Sequence, residues 1–118
     1  GLGDVYKRQE YHTAIMSLSI EELDKFNFEK GDTEGFVNYA LSINDVVFTA
    51  FFIQYDEKVK ISFRSLKDFR ANLLAVKHFN GGGHINAAGG IFEWTLEEAI
   101  AKLKKVLPEY KEELIANC

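Results

Sequence analysis

At 118 residues the chain is long enough for one small domain with one modest core, and 47% hydrophobic residues argue for folding rather than disorder. A formal charge of −4 argues against a broad, non-specific grip on duplex DNA but leaves room for a local phosphate pocket. No apolar run approaches the roughly 20 residues that cross a bilayer, and no secretory signal pattern opens the sequence. The single cysteine, Cys118, excludes an internal disulfide, which makes a reducing cytoplasm the expected setting.

Residues 1–9 (GLGDVYKRQ) do not fit the rest of the chain, and residues 4–9 resemble a translated transposon-end sequencing adapter. They are expected to contribute no fold, with the domain in residues 10–118 and a catalytic domain missing upstream. Residues 11–18 are apolar enough for a strand. Ser19-Ile20-Glu21-Glu22 has the form of a capping box, in which the Ser hydroxyl takes an orphan N–H and the Glu reaches back. A short helix to about Phe26 is expected after it. Lys30-Gly31-Asp32 reads as a turn, and residues 34–42 as a helix with Phe36, Val37, Ala40 and Leu41 at near-helical spacing.

Residues 46–53 (VVFTAFFI) form a nearly continuous apolar run suited to a central strand. A polar turn at residues 55–58 leads into residues 59–64, where Val59, Ile61 and Phe63 point one way and Lys60, Ser62 and Arg64 the other. The two runs predict a hairpin. Residues 68–79 predict a helix with Phe69, Leu73, Val76 and Phe79 on one face, stopped by Asn80-Gly81. A glycine-rich loop, a short strand at residues 91–94, and a second capping box at Thr95-Leu96-Glu97-Glu98 follow. The last opens a helix to about Leu107 that Pro108 ends, with a final helical turn or two at residues 109–116. The expected fold class is α/β: a mixed β-sheet flanked by helices, in a single small domain.

Three segments could carry chemistry. In residues 80–90 (NGGGHINAAGG), Gly81, Gly82 and Gly83 lack the Cβ atoms that would stop successive N–H groups from converging on an anion. A helical turn starting at Asn86 would add its N-terminal amides, and His84 could bond a phosphate oxygen or stack on a base. An exposed flexible loop is the bland alternative. In Ser62-Phe63-Arg64-Ser65, Arg64 offers a planar fork of donors suited to phosphate, and the serines neutral hydrogen bonds; a solvent-facing strand-end arginine is the alternative. In residues 32–39, Asp32 or Thr33 either caps a helix or belongs to a turn facing a ligand or partner domain. His12, His78 and His84 are scattered, no carboxylate–histidine cluster resembles a metal site, and no nucleophile elbow occurs. His78 is expected on a helix surface.

GDTEGFVNYALSI (residues 31–43), KISFRS (60–65) and HFNGGGHINAAGG (78–90) occur in order. Over residues 10–116 the sequence resembles the DHH-associated C-terminal domain of DHH phosphoesterases. Within that family it is similar to the bifunctional oligoribonuclease and phosphoadenosine-phosphate (PAP) phosphatase branch of Bacteroidetes-type bacteria. The resemblance implies that Arg64 and Ser65 hold phosphate, with Ser62 nearby, that Gly81, Gly82 and Gly83 cradle it, and that His84 contacts the terminal nucleotide. It implies two Mn2+ on an upstream DHH domain, and a short RNA oligonucleotide or nucleotide as partner together with that domain; a homodimer is compatible with it. No Asp-His-His occurs in the sequence, so no catalytic or metal residue and no cofactor is expected here, and the chain alone should not hydrolyse substrate. After Arg64-Ser65 the run LKDFRAN departs from the glycine or Asp-Val-Asn stretch of many relatives. The competing expectations are a tRNA-binding module like the one that ends alanyl-tRNA synthetases, and a non-catalytic assembly domain.

Overall fold

The computed structural model describes residues 4–8, 11–19, 21–22, 30–42, 45–55 and 57–118, with backbone alone for residues 4–8, 30–34 and 36. The elements run β1 (Asp4–Arg8), β2 (Thr13–Leu18), α1 (Lys30–Leu41), β3 (Phe48–Tyr55), β4 (Lys58–Ser65), α2 (Ala71–His78), β5 (Gly82–His84), β6 (Ala87–Phe92), α3 (Leu96–Val106), a 3-10 turn (Leu107–Tyr110) and α4 (Lys111–Ala116). The strands form a six-stranded sheet in the order β1-β2-β3-β4-β6-β5. Among the described residues β2 and β3 run parallel and the other pairings are antiparallel. The mixed sheet with helices is the α/β class that the sequence predicts.

Period-2 patterning decides which side of the sheet is buried. In β4, Val59, Ile61 and Phe63 alternate with Lys58, Lys60, Ser62 and Arg64, and the first set is buried. They join Phe48, Ala50 and Phe52 of β3 in the main core, which α2, α3, the 3-10 turn and α4 cover through Leu74, Ala75, Leu103, Leu107 and Leu114. Aromatic rings fill its centre. Phe48 stacks on Phe63 at 5.8 Å, and Phe63 meets Phe79 at 5.4 Å. Pairs of this kind add about 0.5–1.5 kcal/mol beyond area burial.

The opposite side is covered only in part. Val37 and Ala40 of α1 pack on Ala14, Met16 and Leu18 of β2 and on Phe51 and Ile53 of β3. Among the described residues the β4–β6 half of this side is more open: Lys60 and Ile91 are exposed, and Ser62, Arg64, Ala87 and Gly89 are half-buried.

Several expectations need correction. Residues 4–8, expected to contribute no fold, pair along the outer edge of β2, since an open strand edge accepts any extended segment that reaches it. Gly31, Asp32 and Thr33 lie inside α1, which begins at Lys30, so Asp32 and Thr33 are neither turn nor cap residues. α2 starts at Ala71 rather than near Asp68, because Arg70 is non-helical (φ −88, ψ 84) and interrupts the run. Its buried residues are Ala71, Leu74 and Ala75, while Leu73 and Val76 are 50% and 60% exposed. The small Ala71 and Ala75 let this helix sit close to the sheet, and they set its rotation. Residues 87–89 belong to strand β6, which ends at Phe92, and no helical turn starts at Asn86. The first capping box forms in full, with Ser19 N–H donating to Glu22 Oε1 (3.0 Å) and Glu22 N–H to Ser19 Oγ (3.2 Å); of the second the hydroxyl cap forms, Glu98 N–H donating to Thr95 Oγ1 (3.2 Å). The expected helix from Glu22 to Phe26 lies outside the described residues after Glu22.

Candidate functional site

The β4–β6 half of the sheet is a trough built by register. Ser62 stands opposite Gly89, with Arg64 opposite Ala87 on one side and Lys60 opposite Ile91 on the other. The centre is therefore low and lined by small residues, and each flank carries a long cation from β4. A cavity of about 360 Å³ opens here, lined by Lys60, Ile61, Ser62, Asn80, Gly81, Gly82, Gly89, Gly90 and Ile91. Its size falls within the range of small-molecule sites, about 300–1,000 Å³. Among the described lining residues there is one cation, Lys60, and no carboxylate.

Arg64 lies one strand step beyond that lining, on the same side as Ser62. Its Nη1 donates to Phe63 O at 2.9 Å, which tethers the guanidinium to its own strand. His84 is exposed and stands opposite Ala87, which stands opposite Arg64. The three residues thus lie side by side on adjacent strands, about 4.8 Å per step. β5 is the last strand of the sheet, so amides of residues 82–84 that point away from β6 have no further strand to bond.

The glycines have structural duties that the anion-cradle expectation did not include. Asn80 is left-handed (φ 49) and ends α2. Gly81 then donates its N–H to Ala75 O at 3.1 Å, so this amide is not offered to a ligand. A Cβ on Gly81 would lie 1.8 Å from Gly89 O, because the chain presses backbone to backbone against β6. Gly83 has φ +140, and a Cβ there would meet Ala87 O and Ala88 Cα at 2.7 Å. Residues 82–84 are a tight hairpin strand with β6, turning through Ile85 and Asn86, rather than a loose loop.

Ser65 departs most clearly from its expected place. It is buried on the core side, opposite in sense to Arg64. Its hydroxyl donates to Phe69 O (2.7 Å) and accepts from Asn86 Nδ2 (2.9 Å), pinning the 66–70 loop to the hairpin turn. The structure therefore brings together Ser62, Gly81 and Gly82 in one cavity, places Arg64 and His84 along its next row, and leaves Ser65 beneath the sheet. Lys60, Asn80, Gly89 and Ile91 join the site without having been singled out. Strand alternation already put Lys60 beside Ser62 and Arg64. His78, expected on a helix surface, is half-buried with Nε2 3.2 Å from Tyr110 Oη, and burial lowers its pKa against the opposing pull of Glu109.

Comparison with curated protein sequences gives no match. Among solved structures, the chain is similar to an exopolyphosphatase-related protein from Bacteroides fragilis, at 46% identity and a TM-score of 0.88, covering 94% of this chain and 33% of that one. The chain thus spans about a third of that protein's length. A pGpG-specific phosphodiesterase from Vibrio cholerae shares the fold at 14% identity and a TM-score of 0.57, covering 97% of this chain and 36% of that one. The C-Ala domain of Aquifex aeolicus alanyl-tRNA synthetase does so at 14% identity and a TM-score of 0.57, covering 91% and 95%. The DHHA1 domain model matches residues 10–113. With nearly the whole described sheet and both flanks of its trough inside that match, the chain belongs to the DHHA1 domain family associated with DHH phosphoesterases.

Proposed function

We propose that the chain is the substrate-binding part of a metal-dependent DHH phosphoesterase of the oligoribonuclease and PAP phosphatase branch found in Bacteroidetes-type bacteria, working in the cytoplasm. In this reading it holds a short oligoribonucleotide or 3′-phosphoadenosine 5′-phosphate against an upstream DHH domain that carries two Mn2+. The observation that supports it is the trough itself. Ser62 and the Gly81–Gly82 backbone share a cavity with no carboxylate among its described lining residues, and Arg64 stands on the same sheet side two residues along. Arg64 supplies a planar fork for phosphate oxygens, Ser62 a neutral donor, and the outer edge of β5 further amides. His84 at the rim offers a ring on which a base can stack.

Among the described residues no group of three His, Cys, Asp or Glu is placed to hold a metal ion. The residues present do not fit a manganese pair, and none is given a role through it. The chain's part is to bind and orient, which in a two-domain hydrolase places the phosphodiester near the attacking water. The likeness to the C-Ala domain is one of fold and supports no separate reading. Calorimetric titration of the chain with the dinucleotide pApA tests the proposal. Binding is expected to be weak and to fall at least tenfold in Arg64→Ala, a loss of about 1.4 kcal/mol. Equal affinity in the two proteins would remove Arg64 from the site.

A further inference from the structure

A row of residues crosses this side of the sheet at Arg64. Thr49 of β3 stands opposite Arg64, Arg64 opposite Ala87, and Ala87 opposite His84. Thr49 also stands opposite Ala14 of β2, and by alternation along β3 it shares its side with Phe51 and Ile53, on which α1 packs. It therefore sits where the helix-covered part of this side meets the trough. Thr49 is fully buried, and its Oγ1 is one of two buried side-chain polar atoms among the described residues that have no hydrogen-bond partner. Two other buried hydroxyls are bonded: Thr13 Oγ1 donates to Tyr11 O at 2.9 Å, and Ser65 Oγ bonds Phe69 O and Asn86 Nδ2. Burying a hydroxyl with no partner destabilises a fold, and a valine would fill the same shape without that penalty. The hydroxyl at residue 49 gains a use if it finds a partner in another state of the site.

The partner within reach is Arg64. Residues directly opposite each other across an antiparallel pair hold their Cβ atoms about 4.5–5.5 Å apart, a gap that an arginine Nε spans. In this structure Arg64 Nη1 donates to Phe63 O, which holds the guanidinium against its own strand. We propose that Thr49 is a positioning residue for the phosphate site. When an anion draws the guanidinium off Phe63 O, Arg64 Nε–H donates to Thr49 Oγ1, and the two Nη groups face the phosphate as a fixed fork. Binding then satisfies a hydroxyl that this structure leaves unpaired, so part of the affinity comes from removing that penalty. The inference rests on the phosphate-binding reading of Arg64 and adds the residue that orients it.

Thr49→Val keeps the shape and removes the hydroxyl. Its melting temperature without added ligand should equal or exceed that of wild type. Its affinity for pApA, measured by titration calorimetry, should fall about fivefold, the worth of one hydrogen bond. Thr49→Ser should restore the affinity. At saturating pApA the Arg64 Nε–H resonance should shift in wild type and in Thr49→Ser, and shift far less in Thr49→Val. The positioning role is refuted if Thr49→Val binds pApA as wild type does, if it loses melting temperature and affinity together, or if Thr49→Ser fails to restore binding. It is refuted equally if the Arg64 resonance shifts alike in Thr49→Val and wild type. In each of these cases an Arg64→Ala variant that still weakens binding leaves the phosphate-binding reading standing. If wild type does not bind pApA, or Arg64→Ala binds it as tightly as wild type, that reading and this inference are both overturned.

Discussion

Gly81→Ala tests what the three consecutive glycines are for. An alanine Cβ at residue 81 would sit 1.8 Å from Gly89 O, 2.6 Å from Gly90 Cα and 2.7 Å from Gly89 C. All three are backbone atoms of β6, so no side-chain rotation relieves the clash, and the segment must move off the sheet. Overpacking of this kind costs about 1–3 kcal/mol. Displacing residue 81 also breaks its N–H bond to Ala75 O at the end of α2, about 0.5–1.5 kcal/mol more. Together these come to about 1.5–4.5 kcal/mol, a large share of what a domain this size holds in reserve, and should lower Tm by about 10 °C. Gly82→Ala is the matched control, because its Cβ would meet only Val76 Cγ2 at 3.7 Å, an ordinary contact. Thermal unfolding followed by circular dichroism should show Gly81→Ala well below wild type and Gly82→Ala close to it. If the two variants melt together, the glycine at 81 serves the ligand alone and the backbone-packing account is wrong.

Ser65→Ala should lower stability by about 1–3 kcal/mol, since it strips a buried hydroxyl from Phe69 O and Asn86 Nδ2; pApA affinity of the still-folded protein should be unchanged, and a selective loss of affinity would return Ser65 to the site. His78 is held neutral in the fold by burial. The unfolded chain therefore takes up this proton at higher pH, so stability is full above the ordinary histidine range and falls as pH drops through about 6.5. Melting at a series of pH values should show a shallower acid decline in His78→Gln than in wild type, and identical slopes would contradict it. Phe63→Ala removes a ring that packs against both Phe48 and Phe79 and should cost about 3–5 kcal/mol in chemical denaturation.

The sheet is legible in the sequence wherever period 2 holds. The alternation of residues 59–64 specifies the hairpin, the buried face and the company of Lys60, Ser62 and Arg64, all of which the structure shows. It also separates Ser65 from Arg64 by parity; family resemblance alone places the two together on one phosphate. Capping chemistry is local, and the hydroxyl caps form where Ser19 and Thr95 announce them, with the reciprocal carboxylate bond at Ser19. What escapes depends on distant partners. The need for glycine at 81 comes from Gly89, across a hairpin. The rotation of α2 is hidden because Leu73 and Val76 look more hydrophobic than Ala71 and Ala75, whereas close packing on the sheet rewards the smaller residues. Lys30-Gly31-Asp32 reads as a turn because Gly and Asp are turn formers, yet the first turn of a helix tolerates both, its leading N–H groups having no intrahelical partner.

Backbone amide mapping by NMR during titration of the 15N-labelled chain with pApA addresses the central claim most directly. The trough account predicts saturable shifts concentrated at residues 60–64, 81–84 and 87–91, with the Arg64 side-chain resonance moving among them and residues 96–116 unmoved. Shifts centred on the helical side of the sheet, or no saturable shifts at any residue, would contradict it.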